Sequence, residues 1–237
     1  MSSDPKRPST SAPTGAAAAT TPGTFIVVEG IDGAGTTTHS RLLAKALKAP
    51  TREVVLTCEP TNGPVGGLIR QILQRRLFVA DATGPRGFAW STLALLFAAD
   101  RLDHLDSVVL PALAEGSIVV SDRYDLSSLA YQSATAPASS DVLPWIRSLN
   151  ARAIRPDLTV VLDVPAEVAA ERRQGRGGVE EVFENRPLQD RLVSIYEHAQ
   201  TLVPGDRLVH VSGVGETSDV AIRILSAVLE AVPALRT

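Results

Sequence analysis

The sequence predicts an α/β fold: a mostly parallel, doubly wound sheet with helices on both faces. Five short β-branched or aliphatic runs recur along the chain, and stretches with helical spacing lie between them. Near-continuous apolar runs of this length suit parallel strands covered on both faces. Strands alternating with helices imply right-handed crossovers.

TFIVVE (24–29) is the first strand; the loop EGIDGAGTTTHS (29–40) follows it, and SRLLAKALK reads as a helix. EVVLTC (53–58) is the second strand. After a Pro/Gly turn comes the helical GLIRQILQRRL. The long segment FAWSTLALLFAADRLDHLDSVVLPALAEG (88–116) predicts two helices. SIVVSD (117–122) is the third strand, with SSLAYQ and DVLPWIRSLNARA as helices behind it. LTVVLDV (158–164) leads into PAEVAAERR. RPLQDRLVSIYEHAQTLV, the strand RLVHVS (207–212) and the helix DVAIRILSAVLEAV complete the set. Between Arg172 and Glu184, RRQGRGGVEEVFE breaks the helical pattern with three glycines and predicts a mobile surface flap.

At 237 residues the chain suits one domain, residues 24–237, with that flap at about 172–184. Residues 1–23, rich in Ser, Thr, Ala, Pro and Gly without an apolar period, predict a disordered tail rather than a targeting signal. A net charge of -3 argues against a broad nucleic-acid face, and no apolar run is long enough to cross a bilayer. The single cysteine, Cys58, excludes an internal disulfide framework and suits a reducing cytoplasm.

The first loop carries the chemistry. Gly30 and Gly35 match the opening of G-x-x-x-x-G-K-[ST], but Thr36 stands where lysine is expected. Strand, glycine loop and helix N-terminus together aim backbone N–H groups at an anion. Gly30, Ile31, Asp32, Gly33, Ala34 and Gly35, with Thr36, Thr37 and Thr38 at the helix entry, form the expected phosphate cradle. Thr37 occupies the position whose hydroxyl contacts Mg²⁺.

A neutral hydroxyl at residue 36 supplies no charge. The chain has only three lysines, Lys6, Lys45 and Lys48, against 20 arginines. Lys6 is in the tail, and Lys45 starts about 13 Å along the helix from Thr36 at 1.5 Å per residue. Compensating charge must therefore come from arginine, with Arg172, Arg173 and Arg176 of the flap and Arg123 as the candidates.

EGIDGAG-TT, EPTNGPVGGLIR, LLFAADR, SDRYDLSSLAYQ, PDLTVVLDVPAEVAAERR and the FE of VEEVFE follow one another, in order and spacing, as in bacterial thymidylate kinases. The resemblance covers about residues 24 to 232. It implies a P-loop nucleoside-monophosphate-kinase fold with a five-stranded parallel sheet and a LID flap, acting as a cytoplasmic homodimer. It also implies transfer of the γ-phosphoryl group of ATP, with Mg²⁺, to dTMP. By resemblance Asp32 lies near the sugar 3′-hydroxyl, Phe97 stacks on thymine and Arg101 hydrogen-bonds the base. Ser128 and Gln132 complete the base edge, and Tyr131 crowds the sugar 2′ position. Arg123 bridges the acceptor phosphate and the transferring group, Asp122 anchors Mg²⁺ through water, and Glu59 and Arg70 lie near the acceptor phosphate and sugar. Glu184 corresponds to a LID glutamate.

The chain departs from the family at Thr36 and at Cys58, where arginine usually precedes the glutamate. With no cation at Gly33 or Ala34 and three arginines in the flap, it resembles the LID-arginine type. A kinase for another deoxynucleotide or deoxynucleoside, or a catalytically weak nucleotide-binding relative, are the alternatives. His39, His104, His198 and His210 lack metal-site spacing and read as structural or surface residues.

Overall fold

A computed structural model describes residues 23–82, 84–137, 141–176 and 181–236; the side chain of Arg176 lies outside that description. The tail expected at 1–23 falls outside it too, except for Gly23. Among the described residues no helix is long and apolar enough to cross a membrane.

The chain runs β1 (Thr24–Gly30), α1 (Thr36–Leu47), β2 (Val54–Cys58), α2 (Pro64–Leu73), a small hairpin of β3 (Val79–Asp81) and β4 (Gly84–Arg86), then α3 (Trp90–His104). A π-helical turn (Leu105–Val109) joins α3 to α4 (Leu110–Ala114). There follow β5 (Ile118–Asp122), α5 (Asp125–Thr135), α6 (Val142–Leu149), β6 (Leu158–Asp163) and α7 (Ala166–Arg176). The chain closes with α8 (Arg186–Glu197), α9 (Ala199–Leu202), β7 (Leu208–Ser212), α10 (Thr217–Ala231) and a 3₁₀ turn, Pro233–Arg236.

The five predicted strands form one parallel sheet in the order β2-β5-β1-β6-β7. β5 and all of β1 but Thr24 are buried, because helices cover both faces of the centre. Ile26, Val28, Ile118 and Val120 face the main core with Leu158, Val160 and Leu162. Phe25, Val27 and Val119 turn to the other face, against Leu105, Val109 and Ala112. The edge strands depart from the expectation of two covered faces. In β2 Leu56 is exposed, and β7 is only partly buried, since each has one neighbouring strand.

The segment 88–116 holds the two expected helices, α3 and α4, but they follow each other without a break over residues 90–114, joined by the π-helical turn. Pro111 has no N–H to give to Ser107, and the π-helical turn just before it absorbs the mismatch. His198 interrupts the last long helical stretch, separating α8 from α9. The β3–β4 hairpin had no sequence signal, its strands being three residues long and mostly polar or exposed.

The larger correction concerns the flap. α7 continues through Arg172 and Arg173 to Arg176, so the helical pattern does not break at 172. Gly175 costs such a helix only about 1 kcal/mol. The arginines offset this by bonding to the first loop, to which α7 is pressed. A Cβ on Gly33, whose φ is +92°, would lie 2.3 Å from the Ala169 carbonyl oxygen, so only glycine permits that approach. Residues 177–180, the middle of the expected flap, lie outside the described residues.

Candidate active site

At the carboxyl ends of the strands, where ligands bind in such sheets, a cleft of about 1160 Å³ opens between the first loop, α2, α3, α5 and α7. Asp32, Gly33, Gly35, Thr36, Thr37 and Thr38 form its floor. Gly30, Ile31 and Ala34 are in the same loop but do not line the cleft. Gly35 sits at φ +97° and turns the chain into α1, whose first N–H groups have no intrahelical partner. Thr36 is buried at 5% exposure. Lys45 is in the last turn of α1 and Lys48 pairs with Glu53 at 3.3 Å, both remote from the loop.

Two arginines of α7 reach the loop. Arg172 donates to the carbonyl oxygens of Ala34 (3.2 Å) and Gly213 (2.9 Å), and Arg173 donates to that of Asp32. Both line the cleft. Each guanidinium has five N–H groups, so neither exhausts its donors on these bonds.

Arg123 follows β5 in a left-handed conformation, φ +74°. It donates to Asp32 (2.7 Å), to the Gly30 carbonyl (2.8 Å) and to Ser127 (3.1 Å), and it stacks 5.4 Å over the Tyr131 ring. Next to it, Asp122 accepts the Thr37 hydroxyl at 2.5 Å, while its other carboxylate oxygen is buried without a partner. An orphaned carboxylate oxygen beside a threonine hydroxyl suits a hard cation such as Mg²⁺. No group of three metal-ligating side chains forms among the described residues, so such an ion would complete its shell with phosphate and water.

The far wall carries Phe97, Arg101, Ser128, Tyr131 and Gln132, with Glu59 and Arg70 at its side. Glu59 is buried between Arg101 (2.7 Å) and His104 (3.0 Å). Arg70 donates to the Pro60 carbonyl and lies 3.5 Å from the Cys58 sulfur. Burial pushes the Cys58 thiol up, against the opposing pull of Arg70. Glu184 lines the cleft and accepts the Glu181 N–H at 2.9 Å. Of the residues expected at the site, Arg176 has a side chain outside the described structure.

Glu29 escaped the sequence reading. It is fully buried at the end of β1 and accepts the N–H groups of Tyr124 (2.8 Å) and Ser127 (3.1 Å), with the hydroxyls of Ser127 (2.7 Å) and Tyr196 (2.9 Å). It therefore caps α5, which has no side-chain cap of its own, and fixes the turn carrying Arg123. Burial raises its pKa above the usual carboxylate range, while Arg123 and the hydrogen bonds lower it. A lone carboxylate ending an apolar strand was the available signal. Asp100 was missed too: it accepts the Thr61 N–H (2.7 Å) and hydroxyl (2.6 Å), holding the turn beside Glu59. Of the four histidines, His104 is buried against Glu59, His39 is buried under the loop, and His198 and His210 are at the surface. Burial, then Arg172 and Arg223, lower the pKa of His39.

A family model described as thymidylate kinase matches residues 28–220. A probable thymidylate kinase of Pyrococcus horikoshii is 39% identical over 188 residues, 79% of this chain and 88% of that protein. One of Thermococcus gammatolerans is 41% identical over the same shares. A thymidylate kinase of Xanthomonas oryzae pv. oryzae is 38% identical over 190 residues, 80% of this chain and 77% of its own.

Proposed function

This chain belongs to the thymidylate kinase family and is a kinase; on that premise we propose that it transfers the γ-phosphoryl group of ATP to dTMP, with Arg172 and Arg173 supplying the charge that Thr36 cannot. The observation that carries the second half is the pair of guanidinium groups on α7, bonded to the carbonyls of the very loop that lacks lysine.

Phosphoryl transfer asks the protein to position two anions and to neutralise charge spreading over the equatorial oxygens. The loop N–H groups and the N-terminus of α1 would hold the donor phosphates. Arg172 and Arg173, entering from α7, would face the β- and γ-phosphates, and Arg176 is the third candidate. Arg123, already bonded to Asp32, would bridge the acceptor phosphate and the transferring group. Thr37 and Asp122 would hold Mg²⁺, which when bound supplies further positive charge between the donor phosphates. Phe97 would stack on the base, and Tyr131 would crowd a ribose 2′-hydroxyl. Glu59 and Arg70 would shape the acceptor side. No residue need act as a strong base.

A homodimer in the cytoplasm completes the reading. Leu68 on α2 and Leu95 on the neighbouring α3 offer exposed apolar side chains to a second copy. The lone cysteine suits a reducing compartment. Thr36 alone favours a second reading, a nucleotide-binding relative with little turnover. ADP release by the purified protein with ATP, Mg²⁺ and dTMP separates the two. Turnover with dTMP, and not with purine monophosphates, is the expected result; none with any monophosphate would overturn the kinase assignment to dTMP.

A further inference from the structure

Gln189 is fully buried on α8 and does not line the cleft. Its amide nitrogen has two N–H groups and two acceptors within reach, the Phe183 carbonyl at 2.6 Å and Oδ2 of Asp32 at 3.4 Å. Oε1 is buried with no partner among the described residues. Turning the amide over would set Oε1 against those two oxygens, so the nitrogen is fixed on the side of Asp32. A buried amide with an unpaired oxygen is a poor way to stabilise a core. What Gln189 supplies is the orientation of its two partners.

Both partners line the cleft. Asp32 has a side chain 27% exposed, and its Oδ1 takes Arg123 at 2.7 Å. Arg123 and Gln189 thus hold the carboxylate by opposite oxygens. A carboxylate can accept about four hydrogen bonds, so lone pairs remain for a donor that enters the cleft. Phe183 belongs to the segment after α7, and its ring packs on Tyr131. One buried amide therefore joins that segment to the first loop.

We propose that Gln189 is a positioning residue for the acceptor sugar: it holds the Asp32 carboxylate in the orientation that receives a 3′-hydroxyl. The inference rests on the dTMP reading above and deepens it, with Gln189 acting through Asp32 and touching no substrate. Without the Gln189 N–H, Oδ2 loses its inward tie and the carboxylate is held through Oδ1 by Arg123. It then turns about that single anchor. A hydrogen bond weakens steeply when its angle is lost, so the contact with the hydroxyl suffers. Contacts with the base and the phosphate, made by other residues, do not.

The test compares kcat/KM for dTMP and for its 3′-deoxy analogue, with ATP and Mg²⁺, in the unaltered protein, Gln189→Met and Gln189→Leu. Both variants keep a side chain of similar volume and remove the donor; melting curves check that they fold. The unaltered protein should favour dTMP by at least about 10-fold, the worth of a hydrogen bond to a charged group. Each variant should lower kcat/KM for dTMP about fivefold, leave the 3′-deoxy analogue within about twofold and leave KM for ATP unchanged. A merely structural loss would slow both acceptors alike. An unchanged ratio in a folded variant, or equal losses for the two acceptors, overturns the proposal. Equal use of the two by the unaltered protein, an arm that needs no variant to fold, overturns it while leaving the kinase reading intact. Failure of the unaltered protein to use dTMP at all removes that reading, and this inference with it.

Discussion

The guanidinium of Arg172 bridges two separate loops, donating to the carbonyl oxygens of Ala34 at 3.2 Å and Gly213 at 2.9 Å. It places a fixed cation beside a first loop that has no lysine. If that charge suffices, restoring lysine adds little. Thr36→Lys should change turnover, measured as ADP release at saturating ATP and dTMP, by less than about 10-fold, well short of the ~10³ or more that an unsupplied arginine charge is worth. A rise of that larger size from near-zero activity would mean that the unaltered chain is the weak relative.

Glu29 ties the end of β1 to the turn that carries Arg123. Glu29→Ala strands two backbone N–H groups and should cost about 3 kcal/mol in urea unfolding, with turnover falling as Arg123 loses its support.

The same carboxylate has a pH signature. Its unfolded-state pKa is near 4.5, and burial raises the folded value above that. Between the two values the folded chain binds more protons than the unfolded chain, so stability falls as pH rises through that window. Glu29→Gln cannot titrate. The melting temperature of Glu29→Gln minus that of the unaltered protein should therefore climb as pH is raised from 4.5; a flat difference would contradict the shift.

Phe183, buried and 5.3 Å from the Tyr131 ring, joins the segment after α7 to the far wall of the cleft. The Val182 N–H bonds the Leu73 carbonyl at 3.0 Å, so the same segment also rests on α2. Phe183→Ala should destabilise by about 3 kcal/mol and raise KM for dTMP more than KM for ATP. Equal rises would argue against this coupling.

Cys58 stands on the cleft wall with its thiol pushed up by burial. Only the thiolate is nucleophilic, so iodoacetamide at pH 8 should label it more slowly than a free thiol in the unfolded chain, and dTMP should slow labelling further.

The strands and the loop were legible because their signals are local: apolar runs for β1, β5 and β6, and glycine spacing for the turn into α1. The cleft residues were legible as motifs, and most of them line one cavity. What the sequence hid depends on partners distant in the chain. Arg172 and Arg173 read as the start of a flap because Gly175 and the glycines after it suggest a break; only contact with Ala34 and Asp32 shows why α7 continues. Glu29 looked like one more loop residue until Tyr124, Ser127 and Tyr196 converged on it. The Gln189 amide joins residues 32 and 183, a relation no spacing announces.

The compensation proposed for Thr36 requires guanidinium groups on α7 to do the work of the missing lysine. The most direct measurement is single-turnover phosphoryl transfer from ATP to dTMP by Arg172→Ala/Arg173→Ala at saturating nucleotides, with folding checked by its melting curve. A fall of about 10³-fold or more in the folded variant is the predicted result. A rate within about threefold of the unaltered protein would contradict the claim.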